Sequence, residues 1–238
     1  MRSGMLRRAL CICVVALGIA GVGAGSAQAE TTWMVKGANI AEGFLPTLRT
    51  RAKTIILIHT KISGLKILFK CSKLEALESH LIWRKLLLWK LKGIKCVTEI
   101  GETVNAACEP NNNGTEPGVI LTNKLLGELT KHSTGEGVIL VKSTVEEVVG
   151  GVKQPVFGRI KMSAECPIGS NVPIIGTQFS LKDVGGNKGL EEEKVTHTDI
   201  EGPLTEIWAL SKTEEHKASI SGEIELELES GEVWNGLL

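Results

Sequence analysis

Residues 197–199 read His-Thr-Asp and are the nearest thing in this chain to a reactive pair. On a strand, His197 and Asp199 project to one face, where an imidazole beside a carboxylate could move a proton. His216 could join them as a metal ligand, but two or three residues flanking a loop lack a metal site's convergence, so no metal and no cofactor are expected. A serine nucleophile would need a strained turn with a histidine and an acid in reach. Gly-x-Ser-x-Gly is absent, and the closest fragments, Ile62-Ser63-Gly64 and Ile220-Ser221-Gly222, fall inside strand-like runs. The only aspartates are Asp183 and Asp199. His59 sits in an apolar run and reads as a satisfied core histidine. His197 and Asp199 are therefore the catalytic candidates, for a hydrolase assembled from distant residues.

The glutamates suggest structure rather than catalysis. Glu191, Glu192 and Glu193 read as a solvated loop. Glu223, Glu225, Glu227 and Glu229 alternate with apolar residues, a spacing that lays carboxylates out in a row. Calcium needs oxygens gathered around a point, so the row is expected to pair with cations on neighbouring strands. Lys66, Lys70, Lys90 and Lys92 are the expected partners. Cys71, Cys96, Cys108 and Cys166 are an even set lacking the close pairs of a zinc knuckle. In an exported chain they predict two disulfides, with three connectivities open.

Export is predicted by the first 29 residues. Arg2, Arg7 and Arg8 precede an apolar run at 9–21, and Ala27-Gln28-Ala29 has the small-residue pattern of a signal-peptidase site. Cleavage after Ala29 would give a secreted or extracytoplasmic protein, with residues 30–238 as a single β-rich domain. Its charge is uneven. Residues 30–100 hold 13 Lys/Arg against 5 Asp/Glu, and residues 101–238 hold 11 against 22. The two parts are expected to neutralise each other across the fold. The acidic balance after cleavage argues against nucleic acid as a partner.

The elements that must carry these residues are strands. In residues 220–230, ISGEIELELES, Ile220, Ile224, Leu226 and Leu228 share one parity and the four glutamates share the other. Such alternation marks a strand with one dry face. Residues 155–166 repeat it, with Val156, Ile160, Met162, Ala164 and Cys166 on one side, and residues 64–71 do so with Leu65, Ile67, Phe69 and Cys71. Residues 54–60 are apolar on both parities, as in a strand covered on both faces. Gly/Asn/Pro-rich pieces at 111–118, 132–137, 149–155, 168–173 and 184–189 divide the strands. The turn reading also accounts for Asn113-Gly114-Thr115. The fold class is all-β, an antiparallel β-sandwich or barrel-like arrangement with few or no helices.

Residues 81–93, LIWRKLLLWKLKG, resemble a cationic membrane peptide in composition. As a helix they have no clean polar face, which a membrane-surface helix requires. As a strand, Leu87, Trp89, Leu91 and Gly93 fall together, and the segment runs into Cys96. A strand or hairpin is expected, stable membrane insertion is disfavoured, and a membrane-active role for residues 74–93 remains the third functional reading.

Several stretches carry a resemblance: WMVKG (33–37), LKILFKC (65–71), LKGIKC (91–96), GVILTNKLLGEL (118–129) and FGRIKMSAECPIGSNVPIIG (157–176). The stretch from Gly202 to Leu237 extends it. Together these resemble a group of exported, β-rich proteins of actinobacterial type. The resemblance implies secretion and a β fold, and brings no activity or catalytic residue with it. The leading functional expectation is a secreted, non-enzymatic β domain that binds an extracellular or cell-envelope ligand.

Overall fold

A computed structural model describes residues 32–237 except 53, 63, 84–85, 113–114, 132–136, 184–192, 198–205, 212–213 and 233. The expected leader at residues 1–29 and the Asn113-Gly114 pair lie outside the described residues. Three short strands come first: β1 (Thr32–Val35), β2 (Ala38–Asn39) and β3 (Leu48–Ala52). β4 (Ile56–Ile62) leads into a long hairpin of β5 (Leu65–Ile82) and β6 (Leu86–Ile100). Then come β7 (Thr103–Val104), a 3-10 turn (Ala106–Cys108), β8 (Val119–Leu121), β9 (Leu125–Lys131) and β10 (Gly137–Ser143). A second hairpin of β11 (Glu146–Val149) and β12 (Val152–Lys161) precedes β13 (Asn171–Asp183). β14 (Glu193–His197), β15 (Glu206–Ser211), β16 (Glu214–Leu228) and β17 (Trp234–Leu237) complete the order. The protein is all-β.

The large sheet closes on itself because four long strands each bridge two sets of short ones. β5, β6, β13 and β16 run the length of a barrel. Around its upper tier the ring is β3, β5, β6, β9, β10, β13, β14 and β16, closed where β10 pairs with β13. Around its lower tier β4 replaces β3 and β15 replaces β14. There β8 and β12 replace β9 and β10, linked by the Thr122–Gly158 bridge and by the Asn123 N–H donating to Phe157 O. All strand pairings in the barrel are antiparallel. Eight strands enclose an interior that side chains can nearly fill, or that leaves room for one small ligand.

Parity decides which side chains fill it. Ile67, Phe69 and Cys71 on β5 are buried, as are Ile224, Leu226 and Leu228 on β16. Residues 81–83 and 86–93 lie at the tip of the β5–β6 hairpin, with Leu81 opposite Leu87 and Ile82 opposite Leu86. Trp89, Leu91 and Gly93 point inward together, so the hairpin reading holds. The strand expected to reach Cys166 instead stops at Lys161. Beyond it, turns carry Met162 and Cys166 back into the core and leave Ala164 exposed.

The second, three-stranded sheet has the order β17-β1-β2. Trp33 and Trp234 meet across it with ring centroids 5.5 Å apart. They belong to the same hydrophobic core cluster as Leu48, Leu81 and Leu228 of the barrel. The cysteines pair as Cys71–Cys96 across the β5–β6 hairpin and Cys108–Cys166 between the 3-10 turn and the segment after β12. The second bridge is long in sequence, 58 residues, and so restricts the unfolded chain more.

Candidate functional site: an apolar cavity inside the barrel

Side chains do not quite fill the barrel. Where the two tiers meet, a cavity of about 110 Å³ remains. Trp89 and Leu91 of β6, Leu125 of β9, Phe157 of β12 and Phe179 of β13 form much of its wall. Phe157 and Phe179 pack in a tilted pair with centroids 5.4 Å apart. A cavity lined this way is apolar; at about 110 Å³ it is smaller than the void of about 150 Å³ that admits benzene, so a ring enters only as the wall yields a little.

Two glycines in the wall let neighbouring groups approach closely. Gly93 lies beneath the Cys71–Cys96 bridge, where an added Cβ would sit 2.8 Å from the Cys71 sulfur. Gly158 passes so close to β8 that a Cβ would sit 2.8 Å from Leu121 O. Trp89 is fully buried, and its indole N–H has no hydrogen-bond partner. A buried donor without an acceptor costs about 1–3 kcal/mol, which a ligand oxygen in reach would offset.

One pair with reactive chemistry lies in the wall of this cavity, on the face opposite the lining side chains of Ile58 and Ile220. Ser221 shares a 3.3 Å hydrogen bond with His59 Nε2. The pair forms because Ser219 is opposite His59 in the β16–β4 ladder, leaving Ser221 diagonal to the ring. Partial burial lowers the pKa of His59, and the charges of Lys66 and Lys70 lower it further. The ring is therefore neutral at pH 7 and can accept a proton. No carboxylate orients it among the described residues, and Lys66 and Lys70 oppose the imidazolium that general-base catalysis would create.

The candidates chosen from sequence are placed differently. His197 ends β14, opposite Gly222 of β16, while Asp199 lies outside the described residues. His216 is on β16 opposite Ala209, six residues before Gly222. At about 3.3 Å per residue, His216 is roughly 20 Å along the strand from the level of His197, too far to share a ligand. Among the described residues no group of three metal-ligating side chains occurs.

The glutamate row corrects the expected pairing. Glu227 pairs with Arg51 and Glu229 with Arg49, both on the adjacent β3. Lys70 instead pairs with Glu99 and Lys92 with Glu116. The reason is that β16 neighbours β3 and β4 rather than the β5–β6 hairpin. The β3 pairs do join the basic and acidic parts of the chain. Glu225, on the supposedly wet parity, is buried at 3% exposure.

Among the described residues no helix is long and apolar enough to cross a membrane. Comparisons with known proteins add no assignment, since no family model, curated protein or solved structure matches the chain. The cavity wall was readable in sequence as core, but its incomplete filling was not, since a void depends on how strands from all along the chain meet.

Proposed function

We propose that this chain is an exported, non-enzymatic binding protein that holds a small apolar ligand inside its barrel. The observation that carries the reading is the cavity of about 110 Å³ walled by Trp89, Leu91, Leu125, Phe157 and Phe179. Burial of apolar ligand surface supplies roughly 25 cal/mol per Å², so a single aromatic ring gains useful affinity without a charge partner. The leader at residues 1–29 and the two disulfides support an oxidising, extracytoplasmic setting.

Bromobenzene tests this directly, because bromine quenches indole fluorescence on contact. Saturable quenching is expected in the wild type, with the saturable component lost in Trp89→Phe. Purely linear, collisional quenching would refute an interior site.

A second reading, hydrolysis, has the His59–Ser221 contact in its favour. Ser221→Ala should abolish turnover of a small aryl ester if that reading is right. Equal rates in the two proteins would remove it.

A further inference from the structure

A second space adjoins the cavity. Between β3 and β5 the barrel wall is joined in register, among the described residues, only at Arg51–Glu75, with an isolated bridge at Thr47–His80. β5 also carries a register shift against its other neighbour, β6, between Ala76 and Glu78. Bulges of this kind bend a strand and interrupt its ladder. A cleft of about 410 Å³ opens there. Leu74 lines both this cleft and the interior cavity, so the two spaces meet across one side chain.

The chemistry of the cleft is unlike that of the interior. Arg49, Arg51 and Lys73 line it, against the carboxylates of Glu75 and Glu229. Arg49 reaches Glu229 at 3.6 Å and Arg51 reaches Glu227 at 3.8 Å, whereas Lys70 holds Glu99 at 2.6 Å. Each guanidinium has five N–H donors, so these loose contacts leave most of them available. Lys73 is exposed and makes no ion pair among the described residues. Thr50, also in the lining, is 4% exposed, and its hydroxyl has no hydrogen-bond partner. Thr50 shares the inward parity of Leu48, opposite Arg49 and Arg51, so its unpaired hydroxyl lies at the inner side of the cleft and the guanidiniums at the outer side.

We propose that this cleft is the anion-binding mouth of the interior cavity. The ligand is then a compact amphiphile: its apolar body enters the barrel, and a carboxylate or sulfonate head is held by Arg51, Lys73 and the Thr50 hydroxyl. The assignment rests on the reading that the interior takes a ligand, and it adds the polar half of that ligand.

A matched pair of probes separates the two ideas. 3-(4-Bromophenyl)propanoate and 3-(4-bromophenyl)propan-1-ol share one apolar body and differ in the head. Both are titrated against full-length protein, with Trp89 quenching as the readout. The acid is expected to bind about tenfold more tightly than the alcohol at low salt, a typical gain for charge-assisted hydrogen bonds. In Arg51→Gln/Lys73→Gln that ratio should fall toward one, and Thr50→Val should reduce it in part. If the wild type binds both probes equally, the mouth is wrong while the cavity reading stands. If neither probe quenches saturably, both readings fail. A salt titration of the wild type keeps the test independent of variant folding: the acid's advantage should shrink as added salt screens the exposed cations. An advantage that ignored salt would overturn the assignment to Arg51 and Lys73.

Discussion

Gly93 lies so close beneath Cys71 that a methyl group on its α-carbon would fall 2.8 Å from the Cys71 sulfur and 3.1 Å from that of Cys96. A strand residue without a side chain thus makes room for a disulfide at the cavity wall. Gly93→Ala should push the bridge or the backbone aside, at a cost of about 1–3 kcal/mol by the usual scale of overpacking. Thermal unfolding of the oxidised protein checks it. If the same substitution in a Cys71→Ala/Cys96→Ala background costs as much, the clash is not with the bridge.

The chain-end sheet makes a stronger demand. Trp33 and Trp234 are both essentially fully buried and are drawn together from opposite ends of the described chain. Trp33→Ala removes a large side chain from a site that cannot easily collapse, and should destabilise by about 3–5 kcal/mol. Urea unfolding reads this directly. A loss below about 1 kcal/mol would show that the small sheet is not integral to the core.

The two kinds of structural fact differ in how far they could be read from sequence. Alternation at Ile224, Leu226 and Leu228 is local, and it located β16 and its dry face before any partner was known. The same parity argument put Trp89, Leu91 and Gly93 together. What parity does not encode is which strand lies alongside. Parity alone thus leaves open whether Glu227 and Glu229 meet lysines of the β5–β6 hairpin or, as they do, Arg51 and Arg49 of β3. Closure through β10–β13, the His59–Ser221 contact and the loose β3–β5 seam share that origin. Each depends on residues far apart in sequence, and no local period marks them.

The long disulfide should matter for folding as well as for identity. Cys108–Cys166 spans 58 residues, for which the chain-entropy view gives a contribution of about 4 kcal/mol. Cys108→Ser/Cys166→Ser should therefore lower the urea midpoint substantially, while peptide mapping of the wild type recovers the 71–96 and 108–166 cross-links. Recovery of any other connectivity would contradict the strand arrangement around β6 and β12.

His59 gives the protein a pH dependence with a definite sign. Its pKa lies below the ordinary 6.5, chiefly because the ring is partly buried, with Lys66 and Lys70 adding to the shift. As pH falls, the unfolded chain therefore takes up this proton before the folded one does. Stability from the neutral ring is full above pH 6.5 and is lost as pH falls from 6.5 through the folded-state value. Unfolding curves for the wild type and His59→Gln, taken from roughly pH 7.5 down to pH 5, should converge as the pH falls. A difference between them that stays constant would mean the ring titrates normally.

The cavity itself can be tested by changing its volume from the wall. Leu125 is 1% exposed and lines the space, so a larger side chain there can enter existing room rather than displace neighbours. Leu125→Phe should keep stability within about 1 kcal/mol of the wild type, since filling a void offsets overpacking, and it should abolish saturable quenching by bromobenzene. Leu125→Ala acts in the other direction. It should lose about 2–5 kcal/mol through the enlarged void, and saturating bromobenzene should restore part of that loss, because a ligand that binds only the folded state stabilises by mass action. Opposite effects on stability and binding at one position would tie both to the same space. Quenching that survives unchanged in Leu125→Phe would place the probe outside the barrel, and the binding reading would fail with it.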